Sequence, residues 1–394
     1  MKSVVVKSIV GIAICTLCSL AVFGAASLSS TNQKASSMKA SISVADYGTV
    51  NGQPAHLWTI TNPGGMRMKV TDYGTIITEL WVPDSKGKLV DVVLGRSSVQ
   101  EYIDRTQYFG CTAGRCANRI AKGQFTIDGK PSQVTCNNGV NSLHGGAKGF
   151  DKVLWKGEAG MKNGDPFVTF TYTSKDGEEG YPGNCTAVVT YTLTSKNELH
   201  VSMSATTDAP TPVNLAHHSY WNLGGHDSGV ILQDELMIAA DNFTPVDSAL
   251  ITTGEIKSVV GTPFDFRTMK AIVKDIGQLP ATASDPGGFD HNWVINGAKA
   301  GEMRECAVLR SPKSGIVMTV MSNQPGMQFY TGNFLDGVPG KNGAIYAKNN
   351  ALCLETQAFP DSINKQGKAG WPDVILRPGQ TYQHEMVHRF TVVE

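Results

Sequence analysis

Hydrophobic and polar positions alternate with a period of two along most of this chain. Val189, Tyr191 and Leu193 alternate with Thr190 and Thr192; beyond Ser195-Lys196-Asn197, the residues Leu199, Val201 and Met203 alternate with His200, Ser202 and Ser204. Successive side chains of a strand point to opposite faces, so this pattern predicts a half-buried hairpin turning at 195–197. Further short strands are predicted at 57–61, 167–172, 316–321 and 382–393, separated by turn signals such as Asn62-Pro63-Gly64-Gly65 and Asp128-Gly129. No window carries a long apolar stripe at helical spacing, and only 97–103 predicts a brief helix. A chain of many strands must close or stack its sheets to hide their edges. The expected class is all-β, a large β-sandwich rather than an α/β barrel.

The first residues break this pattern. Lys2 and Lys7 flank the start of an apolar run at 9–23, and Gly24, Ala25, Ala26 and Ser27 then supply small residues suited to cleavage. This predicts a secretory signal peptide over 1–26, a flexible spacer over 27–44, and a single domain over 45–394, where no linker or composition shift occurs. The alternative for the leader is an uncleaved anchor through 9–28. Export would permit disulfides among Cys111, Cys116, Cys136, Cys185, Cys306 and Cys353, although a chain this long needs no staples and buried thiols fit equally well. Asn184-Cys185-Thr186 and Asn242-Phe243-Thr244 match the glycosylation acceptor pattern.

Charge narrows the partners. The formal net charge is zero and only 17% of residues are charged, so no basic field exists for nucleic acid or an anionic membrane. A small neutral ligand is expected, without nucleic acid or stable membrane association, for a monomer or weak dimer.

The densest chemistry lies at 214–223, Asn-Leu-Ala-His-His-Ser-Tyr-Trp-Asn-Leu, where two histidines, a hydroxyl, aromatics and amides suit a polar ring-shaped ligand. Tyr220 and Trp221 read equally as core or as aromatics that stack on such a ring. His384-Glu385-Met386-Val387-His388 matches the zinc-protease pattern, which needs a helix to bring both histidines to one metal. Here Tyr382, His384, Met386, His388, Phe390 and Val392 alternate as in a strand, which sets the two histidines roughly 13 Å apart at about 3.3 Å per residue. No metal and no cofactor is expected. Asn118-Arg119, His144, Asp290 and Glu355 each stand where an apolar run meets a glycine-rich turn or a polar break; Glu355, after Leu352-Cys353-Leu354, is a carboxylate expected to be buried for a purpose.

Seven segments, in order, resemble the aldose 1-epimerase (galactose mutarotase) family: 108–120, 141–146, 176–183, 214–223, 288–292, 324–333 and 354–357. The resemblance covers nearly all of the chain after the leader and implies a β-supersandwich with a sugar cleft and a catalytic domain over 45–394 that interconverts sugar anomers, secretion being expected from the leader alone. It implies Glu355 as general base, His218 as general acid and His144 as a second histidine at the ring oxygen. It implies Asn118, Arg119, Asp290 and Gln328 as holders of sugar hydroxyls. His217 stands where relatives commonly carry a small polar residue such as Asn. The rival readings are a catalytically silent sugar-binding module and a glycoside hydrolase using Asp290 and Glu355.

Overall fold

Three sheets share one apolar interior in the computed structural model, which describes residues 39–393 except 106, 283, 284 and 298–300. The largest is a nine-stranded antiparallel sheet ordered Lys156–Lys162, Asp165–Ser174, Cys185–Thr194, Glu198–Thr207, Tyr382–Val392, Ile316–Ser322, Arg304–Arg310, Glu235–Ile238 and Lys270–Ala271. At its centre is the expected hairpin: Leu193 pairs with Leu199, and Val189, Tyr191, Val201 and Met203 are fully buried while the residues between them stay partly exposed. The strands expected at 57–61, 167–172, 316–321 and 382–393 are present as Gln53–Thr61, Asp165–Ser174, Ile316–Ser322 and Tyr382–Val392.

An N-terminal five-stranded sheet (Ser41–Val50, Gln53–Thr61, Arg67–Thr71, Ile77–Pro83 and Leu89–Asp91) and a second five-stranded sheet (Lys257–Ser258, Asn242–Thr244, Asp290–Val294, Gly326–Tyr330 and Cys353–Gln357) complete the sandwich. Ile60 and Val70 of the first, Phe170 and Val201 of the nine-stranded sheet, and Trp293, Phe329 and Leu354 of the second belong to one continuous core. Stacking hides the apolar face of each sheet, which is the all-β sandwich expected of the alternation.

Two boundaries differ from expectation. The first strand begins at Ser41, pairing with Thr61, so residues 41–44 are strand rather than spacer, because they can still ladder onto Gln53–Thr61. The leader and the rest of the spacer lie outside the described residues. The brief helix is Val99–Asp104, started by Ser98, whose Oγ accepts from the Glu101 N–H at 3.3 Å. All six cysteines of the described residues are free thiols, and only Cys136 is exposed.

Candidate active site

Two glycine-rich segments interlock to form one wall. Arg119 pairs with Leu143 in a two-residue ladder, and just outside it Asn118 and His144 both adopt left-handed backbone, at φ 59° and 49°. That conformation is disfavoured for residues with a Cβ and persists only where surroundings hold it. Here each residue holds the other: His144 N–H donates to Asn118 O at 3.0 Å, and Asn118 N–H donates to His144 Nδ1 at 3.2 Å. Gly145, at φ 91°, is required by close approach, since a Cβ there would sit 1.8 Å from Gly114 O.

The opposite wall comes from the second five-stranded sheet. Directly opposed residues of neighbouring strands share a face. Asn292, Gln328 and Glu355 form one cross-strand row; Asp290, Tyr330 and Cys353 form the next. His218 enters from the short strand Ala216–His218, paired with Cys111. Strand alternation turns His218 into the cavity and His217 beneath it, where His217 bonds Ser219 Oγ at 2.8 Å.

These walls enclose a cavity of about 230 Å³ lined by Gln107, Tyr108, Asn118, Arg119, Asn138, Leu143, His144, His218, Tyr220, Asp290, Tyr330, Phe334, Leu335 and Glu355. A larger groove of about 800 Å³ around Trp371 and Tyr382 lacks any buried acid–base pair among its lining residues. In the smaller cavity His218 Nε2 stands 3.5 Å from Glu355 Oε1, both groups being almost fully buried. Glu355 Oε2, itself buried, has no hydrogen-bond partner among the described residues, an unsatisfied carboxylate oxygen beside the cavity. The His144 and His218 rings meet edge-on at 5.0 Å, with Tyr108 against His144 at 4.5 Å. Arg119 Nη1 lies 3.8 Å from Asp290 Oδ2, and its Nε donates to Asn138 Oδ1 at 3.1 Å.

Burial pulls the His218 imidazole down to about 4 and pushes the Glu355 carboxyl well above its usual range, with Asp290 adding to that push and Arg119 opposing it. Each group is driven toward its neutral form. Both shifts favour placing a proton held between the two groups on the carboxyl side. His144 is lowered by burial and then by the positive ends of His218, Arg119 and Lys152. Asp290 is raised by burial, against Arg119 and a 2.6 Å hydrogen bond from Gln328 Nε2.

His144, His218 and Glu355 can bring ligating atoms within 4.8 Å of one another, a donor set chemically suited to a divalent metal. The bond from Asn118 N–H argues against that use, because a neutral His144 accepting at Nδ1 presents Nε2–H rather than a lone pair. His384 and His388 lie on a strand, on its buried side, and engage different partners.

Of the residues expected from sequence, Asn118, Arg119, His144, His218, Asp290 and Glu355 line this cavity, whereas Gln328 does not: it stands behind Asp290 and donates to it. Tyr220 lines the cavity and Trp221 is core, packed 4.9 Å from His388. Sequence reasoning missed Tyr108, Asn138 and Phe334. Asn138 carried a signal in the turn Asn137-Asn138-Gly139; Phe334, half exposed at the rim, carried none.

A family model described as aldose 1-epimerase matches residues 56–389. The chain is 47% identical over 328 residues to the galactose mutarotase of Bos taurus, covering 83% of this chain and 92% of that protein. It is 46% identical to the Homo sapiens galactose mutarotase with the same coverage, and 37% identical over 346 residues to the aldose 1-epimerase of Escherichia coli, covering 86% and 96%. Among solved structures, it superposes with TM-score 0.76 on an aldose epimerase homologue from C. elegans, at 33% identity, covering 85% and 98% of the two chains. The galactose 1-epimerase of Lactobacillus acidophilus gives TM-score 0.77 at 25% identity, covering 90% and 100%.

Proposed function

The chain belongs to the aldose 1-epimerase family, and from that premise we propose that it interconverts the α and β anomers of free aldohexoses such as glucose and galactose. It is an isomerase acting on carbohydrates. The observation that carries the proposed mechanism is the 3.5 Å approach of His218 Nε2 to Glu355 Oε1 in a cavity that also presents Asn118, Arg119, Asn138, His144 and Asp290.

Opening the ring moves two protons. The anomeric hydroxyl gives its proton to the Glu355 carboxylate, the C1–O5 bond breaks, and the ring oxygen takes a proton from the His218 imidazolium. The free aldehyde then rotates about C1–C2, and closure from the other face runs the same transfers backward: Glu355 returns a proton to the carbonyl oxygen while neutral His218 takes the hydroxyl proton. Opening starts from carboxylate and imidazolium; closing starts from carboxylic acid and imidazole. Burial favours the carboxylic acid and imidazole from which closing starts, and one proton crossing the 3.5 Å separation gives the carboxylate and imidazolium from which opening starts. His144 Nε2–H adds a donor toward the ring oxygen, and Arg119, Asp290 and Asn118 supply complementary donors and acceptors for hydroxyls.

Polarimetry of purified protein with freshly dissolved α-glucose and α-galactose tests this reading. Faster approach to the same final rotation is expected; sugar binding with an unchanged rate would favour a silent module, and release of free sugar from a glycoside would favour a hydrolase. We further propose that the protein is secreted after removal of residues 1–26, on the strength of Lys2, Lys7, the apolar run at 9–23 and the small residues after it. The intact mass of exported protein tests that cleavage, and recovery of membrane-embedded full-length chain would indicate an anchor.

A further inference from the structure

His384 is fully buried beneath the cavity, and its two ring nitrogens reach two different segments. Nδ1 lies 3.2 Å from Leu215 O, and Nε2 lies 2.8 Å from Thr356 Oγ1. Tyr382 Oη also lies 3.4 Å from Nδ1 and donates to Leu215 O at 3.4 Å; because that carbonyl only accepts and is the nearer partner of Nδ1, the ring hydrogen is assigned to Nδ1, so that Nε2 accepts and the Thr356 hydroxyl donates. The Leu215 N–H in turn donates to Tyr382 Oη at 3.1 Å, so both backbone groups of Leu215 end on side chains of the strand Tyr382–Val392. Leu215 precedes His218 by three residues, and Thr356 adjoins Glu355.

The need for such a bridge follows from the backbone. The segment 214–221 runs antiparallel to 352–358 and is tied to it at both ends. Trp221 and Leu352 exchange backbone bonds of 2.7 and 3.0 Å, and the Asn214 side chain bonds Ala358 N and O at 2.9 and 3.1 Å. Between those ties, among the described residues, no backbone hydrogen bond joins 215–220 to 353–357. The gap is where the cavity opens and where His218 and Glu355 face each other.

We propose that His384 is a positioning residue for the acid–base pair: by bridging Leu215 and Thr356 across the unladdered gap, it fixes the segment carrying His218 against the strand carrying Glu355 and maintains their separation. This rests on the reading of His218 and Glu355 as acid and base. It also gives a role to half of the His-Glu-x-x-His stretch, as a strut on a strand.

The test uses His384→Phe, which keeps a flat ring and removes both bonds, with Thr356→Val and Thr356→Ser, which remove or keep the hydroxyl at similar volume. Polarimetric kcat and KM for galactose are measured beside thermal unfolding, with Glu355→Gln as reference. Misplacement of reacting groups by about 1 Å costs up to 10²-fold, so kcat is expected to fall about 10- to 100-fold in His384→Phe and Thr356→Val, while KM changes under about threefold. Thr356→Ser is expected to recover most of kcat, and the double variant to be no worse than the worse single one, because both remove the same bridge. If His384→Phe does not fold, the two Thr356 variants decide alone. Unchanged kcat in folded variants, or equal losses in Thr356→Ser and Thr356→Val, would overturn the bridge while a collapsed Glu355→Gln left the acid–base reading intact. Full activity in Glu355→Gln would overturn both.

Discussion

His144 accepts a hydrogen bond at Nδ1 from the backbone N–H of Asn118, and that 3.2 Å contact determines what the ring offers a ligand. Burial and neighbouring positive charge keep the ring neutral, so its one hydrogen sits on Nε2. A sugar oxygen accepts from such a group; a metal ion is repelled by it.

Activity is therefore expected to survive chelation. Dialysis against EDTA, followed by polarimetry and elemental analysis, is the measurement. Stoichiometric zinc whose removal abolishes turnover would mean that His144 carries its hydrogen on Nδ1 and that the Asn118 contact has been misassigned.

The two adjacent histidines separate catalysis from packing. His218→Asn is expected to slow ring opening sharply, because the imidazole beside Glu355 is removed. His217→Asn is expected to leave kcat nearly intact but to lower the melting temperature. His217 is buried, bonds Ser219 Oγ at 2.8 Å and packs against the His388 ring at 6.0 Å. Equal kinetic losses in both variants would assign the acid to the wrong histidine.

What was legible in the sequence had a local cause. Val189 to Met203 announced their hairpin because alternation encodes burial directly, and Asn118, His144 and Glu355 stood out because polar groups beside glycine turns or after apolar runs are poor core material. The rest depends on register. Whether Gln328 reaches the cavity or backs Asp290 is set by how Gly326–Tyr330 pairs with Asp290–Val294. The strut formed by His384 joins residues 169 and 28 positions away, and no period in the chain connects them. The start of the first strand at Ser41 likewise came from its partner strand, not from its own weak alternation.

His388 supplies a prediction about acid stability. Neither ring nitrogen has a partner among the described residues, and burial, with the nearby His200 and His384, lowers it from 6.5 to about 3. Below pH 6.5 the unfolded chain binds a proton that the folded protein refuses, so this group loses stability as pH falls toward 3. His388→Phe keeps a ring against Trp221 and removes that loss. Relative to wild type, the variant is expected to gain about 2 kcal/mol between pH 7 and pH 5, read from denaturant unfolding at both values. A difference that does not change with pH would show that His388 titrates normally.

Glu355→Gln makes the sharpest test of the mechanism, because it nearly preserves shape and an acceptor oxygen while removing the basicity that takes the anomeric proton. General-base catalysis contributes about 10²- to 10⁴-fold, so kcat should fall by that order while galactose KM changes far less, the hydroxyl contacts of Arg119 and Asp290 remaining in place. Stability supplies the control. Burial raises the folded pKa of Glu355 above its unfolded value of 4.5, so the stability tied to its proton is present in acid and is lost as pH rises through the raised value. An amide has no such loss, and the melting temperature of Glu355→Gln at pH 8 should be no lower than that of wild type. A residue kept only for structure would behave in the opposite way: the variant would melt earlier, with turnover per folded molecule intact, and Glu355 would then have to be given up as the base.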